Sequence, residues 1–291
     1  MEIEPALLNA ETVALLQAMP VNYLQAEAGV PATKPEILRH VGRRPAGKQA
    51  FDYLAELIAA DNVHIHLDII AGLPGEDYAS IQQTFIDLHR LYPHYLQLGF
   101  LKVLPNTPLA QEAAAWGIYY QPEAPYRVRY TRDLSQEELL ELKQVDGVLN
   151  KLYNNGYFVA TLRQGALLWP GTAYDFYLAM AKAGLGHIKK APRLYVRLYE
   201  FLQQQLPQED WQSKLRLDWY RRFGQEPLPP QLVWGRDSAT LMRCYQKEIL
   251  ALRPDLAVLP RHKWHHRLLC AEFPRDVCLF AFDEAVSLRQ P

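Results

Sequence analysis

The stretch best equipped for chemistry is Asp68-Ile69-Ile70-Ala71-Gly72-Leu73-Pro74-Gly75-Glu76-Asp77, an apolar run that ends in two glycines and two carboxylates. The glycines let backbone approach a ligand closely, and a helix starting just beyond them offers free N–H donors. No Gly-Lys-Ser/Thr follows, so this is not a phosphate-binding P-loop. Glu76 and Asp77 also suit plain capping and dipole compensation at a helix start. Upstream, His64, His66 and Asp68 alternate with Ile65, Leu67 and Ile69, and Gln25 and Glu27 alternate with Leu24, Ala26 and Ala28. Successive side chains of a strand point to opposite faces, so each run has one polar and one apolar face. An open doubly wound sheet buries both faces under helices and reads apolar throughout. Polar residues on one face of parallel strands need water, a ligand or each other. A barrel lumen that holds a site satisfies them, as does a lumen of mutually hydrogen-bonded structural residues. His64, His66 and Asp68 share a face that suits a metal site or proton relay, but a structural hydrogen-bond network accounts for them better. Together with Glu27 they are also the set that a self-sufficient small-molecule enzyme would use.

The elements that must carry these residues alternate in type. Strands are expected over Met1–Glu4, Tyr23–Val30, His64–Ala71 and Tyr95–Leu104. Helices are expected over Leu7–Met19, Pro35–Val41, Gly47–Ala60, Tyr78–Tyr92 and Pro108–Trp116. Strand–helix–strand repetition with short loops implies parallel pairing and right-handed crossovers. Past Pro122 the texture turns to Arg-, Tyr- and Leu-rich helices with few strand signals. Ser135-Gln136-Glu137-Glu138 reads as a capping box opening a helix to about Tyr153, and Asn154-Asn155-Gly156 as a turn. Further helices are expected over Phe158–Leu168, Tyr174–Ala183, Arg193–Leu206, Asp210–Phe223 and Ser238–Leu252, with β-like runs over Trp264–Phe273 and Val277–Phe282. The fold class is α/β: an incomplete TIM-type (β/α) barrel half followed by a mostly helical C-terminal domain. The expected division is residues 1–120, 121–230 and a C-terminal α+β extension over 231–291.

Composition narrows the function. Thirty-one Lys plus Arg against 32 Asp plus Glu leave a net charge of −1 on 291 residues. A nucleic-acid binder that depends on counterion release has a basic surplus, so no nucleic-acid partner is expected. Arg–Tyr stacking and amphipathic packing account for the Arg- and Tyr-rich helices better than RNA contact. No apolar run reaches the roughly 18–20 residues of a membrane span, and the N-terminus has no basic start or apolar stretch of a secretory signal. Cys244, Cys270 and Cys278 cannot close a disulfide framework, which suits a reducing, cytoplasmic setting. His262, His265, His266, Cys270 and Cys278 are metal-ligand types close in sequence, but adjacent His265 and His266 in a strand point opposite ways, and ordinary buried Cys with surface His is the expectation. Neither Gly-x-Ser-x-Gly nor His-Glu-x-x-His occurs, which disfavours the common hydrolase classes.

Several of these stretches resemble one family. Asp68-Ile69-Ile70-Ala71-Gly72-Leu73-Pro74-Gly75-Glu76 resembles the fifth-strand motif of radical S-adenosylmethionine enzymes. Leu24-Gln25-Ala26-Glu27-Ala28-Gly29-Val30 looks like their fourth strand, with Pro31-Ala32 where Gln-Ser is common. Gly42-Arg43-Arg44 falls where an Arg commonly follows the next helix. The run from Leu96 through Val103-Leu104-Pro105-Asn106-Thr107 to Leu109 looks like the sixth strand and its exit, with Asn106 where Gly is usual. The helices from Tyr126 to Gly156 are similar to a C-terminal domain of unknown function attached to cobalamin-binding members.

The resemblance implies a partial (β/α)₆ barrel that holds a [4Fe–4S] cluster and S-adenosylmethionine. Ile70 and Gly72 would border the adenine, Gln25 and Glu27 would face the ribose or methionine moiety, and Leu101 to Pro105 would close the adenine side. Asp68 belongs to the same cofactor-binding set, and Lys102 receives no role. Cluster ligation needs a Cys-x-x-x-Cys-x-x-Cys loop after the first strand, and this chain has no cysteine before Cys244. Met1-Glu2-Ile3-Glu4-Pro5 looks like the family's third strand, so the first two strands, the cluster loop and the cobalamin domain are expected to lie outside the chain. The expectation is therefore a truncated or degenerate member whose parent is a cobalamin-dependent enzyme of unknown substrate. A non-catalytic module that completes its open sheet edge with a partner chain is the alternative.

Overall fold

The computed structural model describes residues 1–260, 263, 264, 267–273 and 276–281. The expected His262, His265 and His266 thus lie outside the described residues. Two compact units emerge: residues 1–156 with 169–187, and residues 157–168 with 188–291.

The first unit is built on four parallel strands, β1 (Glu2–Ile3), β2 (Leu24–Gly29), β3 (Val63–Ala71) and β4 (Tyr95–Phe100), lying side by side in chain order. Sequential order without reversal is the winding of a (β/α) barrel, not of a doubly wound sheet. The crossovers are α1 (Ala10–Gln17), the pair α2 (Pro35–His40) and α3 (Lys48–Ala60), and α4 (Tyr78–His89). The register aligns Glu2, Glu27, His66 and Tyr95 in one row and Gly29, Asp68 and Gln97 in the next. Ala26, Ala28, Ile65, Leu67, Ile69, Leu96 and Leu98 are buried, while the alternate positions are only partly covered or exposed. Helices α3 and α4 pack on β3, with Leu54, Leu57, Ile81, Phe85 and Leu88 buried. The period-2 pattern therefore gives one helix-covered face and one face lined by Gln25, Glu27, His64, His66, Asp68 and Gln97.

After β4 come a short α5 (Pro108–Glu112) and two strands, β5 (Tyr119–Tyr120) and β6 (Val128–Tyr130), that are antiparallel to each other. The sequence reading missed β6, whose run of three residues is too short to show a period. Its approach also pairs with the exit of β4: Val128 N–H donates to Leu101 O at 2.9 Å, and Val103 N–H to Tyr126 O at 2.9 Å. Helix α6 (Gln136–Val148) opens with the expected capping box of Ser135 and Glu138, then loosens into a π-helical turn over Leu149–Tyr153. Gly156 follows at φ 68°, the left-handed conformation that glycine adopts without a Cβ clash.

Helix α7 (Val159–Leu168) belongs to the second unit, and α8 (Ala173–Lys182) returns to the first, packing on α4 and α6. The second unit continues with α9 (Ala191–Gln205) and α10 (Trp211–Phe223). The single helix expected over Ser238–Leu252 is two, α11 (Ser238–Cys244) and α12 (Gln246–Leu252), separated at Tyr245. The hairpin β7 (Leu268–Phe273) and β8 (Asp276–Ala281) follows. Leu241, Met242, Ile249, Leu256, Trp264, Leu268 and Cys270 form the core of this end. No helix among the described residues is long and apolar enough to cross a membrane.

Candidate functional site

The uncovered face of the sheet carries two adjoining cavities, with Arg43 lining both. The first, about 430 Å³, is bounded by Glu2, Glu4, Glu27, Gly29, Arg43 and Asp68. Arg43 Nη1 donates to Glu4 Oε2 at 2.8 Å. The same nitrogen lies 3.4 Å from where a Cβ on Gly29 would stand, so the guanidinium lies against the strand end. His66 Nε2 stands 3.0 Å from Asp68 Oδ1 but off the line of a hydrogen bond, and neither atom has another partner. Burial pushes the Asp68 carboxyl upward, against the pull of His66 and with the push of Glu27 and Glu2. The His66 ring packs on Tyr95 at 4.1 Å between centroids. Lower on the strand, His94 takes the structural role: Ile65 N–H donates to its Nδ1 at 3.0 Å, and its Nε2 donates to Asp61 at 2.9 Å.

The second cavity, about 510 Å³, lies beyond the strand ends and is mostly apolar: Pro31, Ile70, Leu73, Leu101, Pro108 and Leu109 line it with His40, Thr107 and Glu112. That size suits a small-molecule pocket with apolar walls and a few polar groups. The loop after β3 shapes it. Gly72 holds φ +93°, and a Cβ there would come within 2.9 Å of Val128 Cγ1. Gly75 holds φ +72°, with His40 stacked over it; His40 Nδ1 donates to Pro74 O at 2.9 Å and its ring packs on Trp116 at 4.6 Å. Asn106, where the resemblance expects Gly, sits at φ 63°, a conformation that Asn tolerates better than most side chains.

The two carboxylates at the start of α4 do different things. Asp77 caps the helix, accepting from Ser80 N–H at 2.8 Å. Glu76 is fully buried, and neither of its oxygens has a well-formed hydrogen bond. Burial pushes its carboxyl up to about 8, opposed only weakly by the Leu73 and Gly72 N–H groups.

Of the residues singled out from sequence, Glu27 and Asp68 share the first cavity and Ile70 and Leu101 the second. Gln25 is exposed one step below and donates to Glu27 at 3.3 Å. Gly72 forms the turn between β3 and α4 without lining either cavity, and Pro105 is exposed outside both. His40 and the Thr107–Leu109 segment were missed. Thr107 gave a readable signal, since its hydroxyl caps α5 by accepting from Ala110 N–H at 3.3 Å.

The chemistry of the pair is legible. A cationic group, or one rich in hydroxyls, suits the Glu27 and Asp68 carboxylates; a carboxylate suits Arg43; a flat apolar group suits the cavity of Ile70, Leu73, Leu101 and Leu109.

The fold and its uncovered face define a part-barrel α/β protein with a ligand-sized site at the strand ends. Residues 114–288 match the family model described as a protein of unknown function, DUF4080. The match spans more than half of the chain, and the protein belongs to that family. No curated protein matches it. Among solved structures, the chain is similar to coproporphyrinogen III oxidase (HemN) from Escherichia coli, described as a radical SAM enzyme. The identity is 20%, the TM-score 0.32, and the match covers 50% of this chain and 37% of that one.

Proposed function

We propose that the first unit is a radical S-adenosylmethionine-type half-barrel that binds S-adenosylmethionine across its two cavities. The observation that carries this reading is the junction at Arg43 between a carboxylate-lined cavity and an apolar one, at the ends of β2 and β3. In this arrangement Glu27 and Asp68 face the cationic aminoacyl and sulfonium end, with Arg43 toward its carboxylate. Ile70 and Leu101 flank the adenine. The motifs from Leu24 to Val30 and from Asp68 to Glu76 support the same assignment.

A [4Fe–4S] cluster does not fit this face. It needs three thiolates, and the only cysteines in the sequence are Cys244, Cys270 and Cys278, all in the second unit on α11, β7 and β8. Among the described residues no group of three His, Cys, Asp or Glu side chains is placed to hold a metal ion. Residues 1–291 thus offer ligand recognition without radical generation, and no reaction step is assigned to them. On this reading the cluster and the cobalamin of the resembling proteins would come from residues other than these.

Calorimetric titration with S-adenosylmethionine tests the reading. Saturable one-site binding is expected, weakened at least tenfold, or about 1.4 kcal/mol, by Asp68→Asn. Absence of binding at millimolar ligand, or equal binding by the variant, overturns it.

A second reading rests on the sheet edge. β1 has two residues and pairs only with β2 among the described strands, leaving its other side open. Open parallel edges recruit strands, so a partner chain that adds strands beside β1 would complete the barrel.

A further inference from the structure

A third cavity, of about 240 Å³, lies away from the site at the strand ends. Its walls are Phe100, Val128 and one stripe of α6, Gln136, Leu139, Leu140 and Lys143, with Arg127 and Arg129 from the strand opposite. Positions 136, 139, 140 and 143 follow the i, i+3, i+4, i+7 spacing of a single helix face. Leu140 on that face is 51% exposed, an apolar side chain left half in solvent.

The charges are the unusual part. Arg127, Arg129 and Lys143 are exposed, and among the described residues none has a carboxylate within ion-pair distance. Arg127 and Arg129 are two apart on an extended segment, so they share a face. Lys102 is paired with Arg127 in an antiparallel bridge, which sets a fourth cation directly across the strand. Like charges directly opposite each other destabilise a strand pair. Asp146 feels both Arg127 and Lys143, but its carboxylate is half-buried and already accepts from Asn150 Nδ2 at 2.8 Å. Three cations line one apolar hollow, with Lys102 across the strand from one of them, and against one engaged carboxylate they leave a local positive surplus in a protein whose net charge is −1.

We propose that this hollow binds an organic anion, a phosphate or carboxylate head on a small apolar body. The head sits among Arg127, Arg129 and Lys143, and the body lies against Phe100, Leu139 and Leu140. The site is separate from the S-adenosylmethionine reading: none of its lining residues borders either of the other two cavities.

Calorimetry on the full chain with 1-naphthyl phosphate and 1-naphthoate as probes tests it, with inorganic phosphate and 1-naphthol as half-ligands. One-site binding is expected for at least one naphthyl anion, at least tenfold tighter than for either half-ligand, and the tighter of the two anions identifies the head group. The Arg127→Met/Lys143→Met double variant keeps the aliphatic stems at exposed positions and should weaken that binding at least tenfold. It should leave the response to S-adenosylmethionine as in the wild type. Amide shifts in the wild-type protein should cluster at Val128, Arg129, Leu140 and Lys143, a readout independent of how well the variant folds. No saturable binding, equal binding by a folded double variant, or shifts scattered over the surface overturns the proposal.

Discussion

Two buried titratable side chains give the first unit a pH signature. Burial raises the Glu76 carboxyl to about 8 and lowers the His89 imidazole to about 4, so both are held neutral. For Glu76, the folded state keeps a proton that the unfolded chain releases above its ordinary value near 4.5. Stability from this group is therefore complete below that value and falls until about pH 8, by up to roughly 5 kcal/mol. For His89, the unfolded chain takes up a proton below about 6.5 that the folded state refuses. Its contribution is complete above that pH and falls toward pH 4, by up to roughly 3 kcal/mol. Between these two ordinary values the slopes oppose each other, so a plateau is expected, with losses on either side. Urea unfolding across pH should show Glu76→Gln flattening the alkaline fall and His89→Gln the acid one; an unchanged profile in both variants contradicts the assignment. Glu76 was legible as a carboxylate at a helix start, but its burial was not. The sequence does not show which of two adjacent carboxylates turns inward, and here Asp77 takes the cap while Glu76 is enclosed.

At the scale of elements, the period-2 faces of β2 and β3 were readable because alternation is local. The same alternation put Glu27 and Asp68 on the polar faces of their strands, and the register lays those strands side by side. Features that depend on distant partners were not readable. Helix α7 has no capping residue of its own. Its first free N–H groups, on Ala160 and Thr161, both donate at 2.9 Å to the buried carboxylate of Asp218, more than fifty residues later on α10. Asp218→Ala leaves those donors without an acceptor and is expected to cost about 2–3 kcal/mol. A shift in the urea midpoint checks this, and Asp218→Asn, which keeps one acceptor oxygen, should recover part of it. The break at Tyr245 is similar: the apolar spacing runs through it, so a continuous helix was the natural reading of α11 and α12. The residues that line the second cavity come from three separate stretches of chain, 31–43, 70–73 and 101–112, which explains why His40 and Thr107 gave no joint signal in sequence.

At the scale of the whole molecule, the change of texture near Pro122 falls inside the first unit. Helices α6 and α8 pack against each other and α8 against α4. Tyr174 and Tyr177 of α8 enclose Phe85 at 5.4 and 5.6 Å between ring centroids. Tyr78 links the helices by donating to Glu141 at 2.9 Å, and the Tyr174 hydroxyl lies 2.9 Å from its own. The family-matched region thus supplies part of the layer behind the sheet. Cysteine distribution sets the chemical limit: every thiol is in the second unit, and every residue of the candidate site is in the first. Anaerobic reconstitution of this chain with iron and sulfide is expected to give no stoichiometric cluster with thiolate–iron visible absorption; one cluster per chain would contradict that limit.

The central claim is that the carboxylate and apolar cavities act as one site for S-adenosylmethionine. Amide chemical-shift mapping during a titration with this ligand tests it most directly. The account predicts saturable shifts confined to Glu27–Val30, Asp68–Leu73 and Leu101–Val103, with the Arg43 side chain responding. Saturating ligand that leaves these amides unmoved, or that shifts the second unit instead, contradicts it.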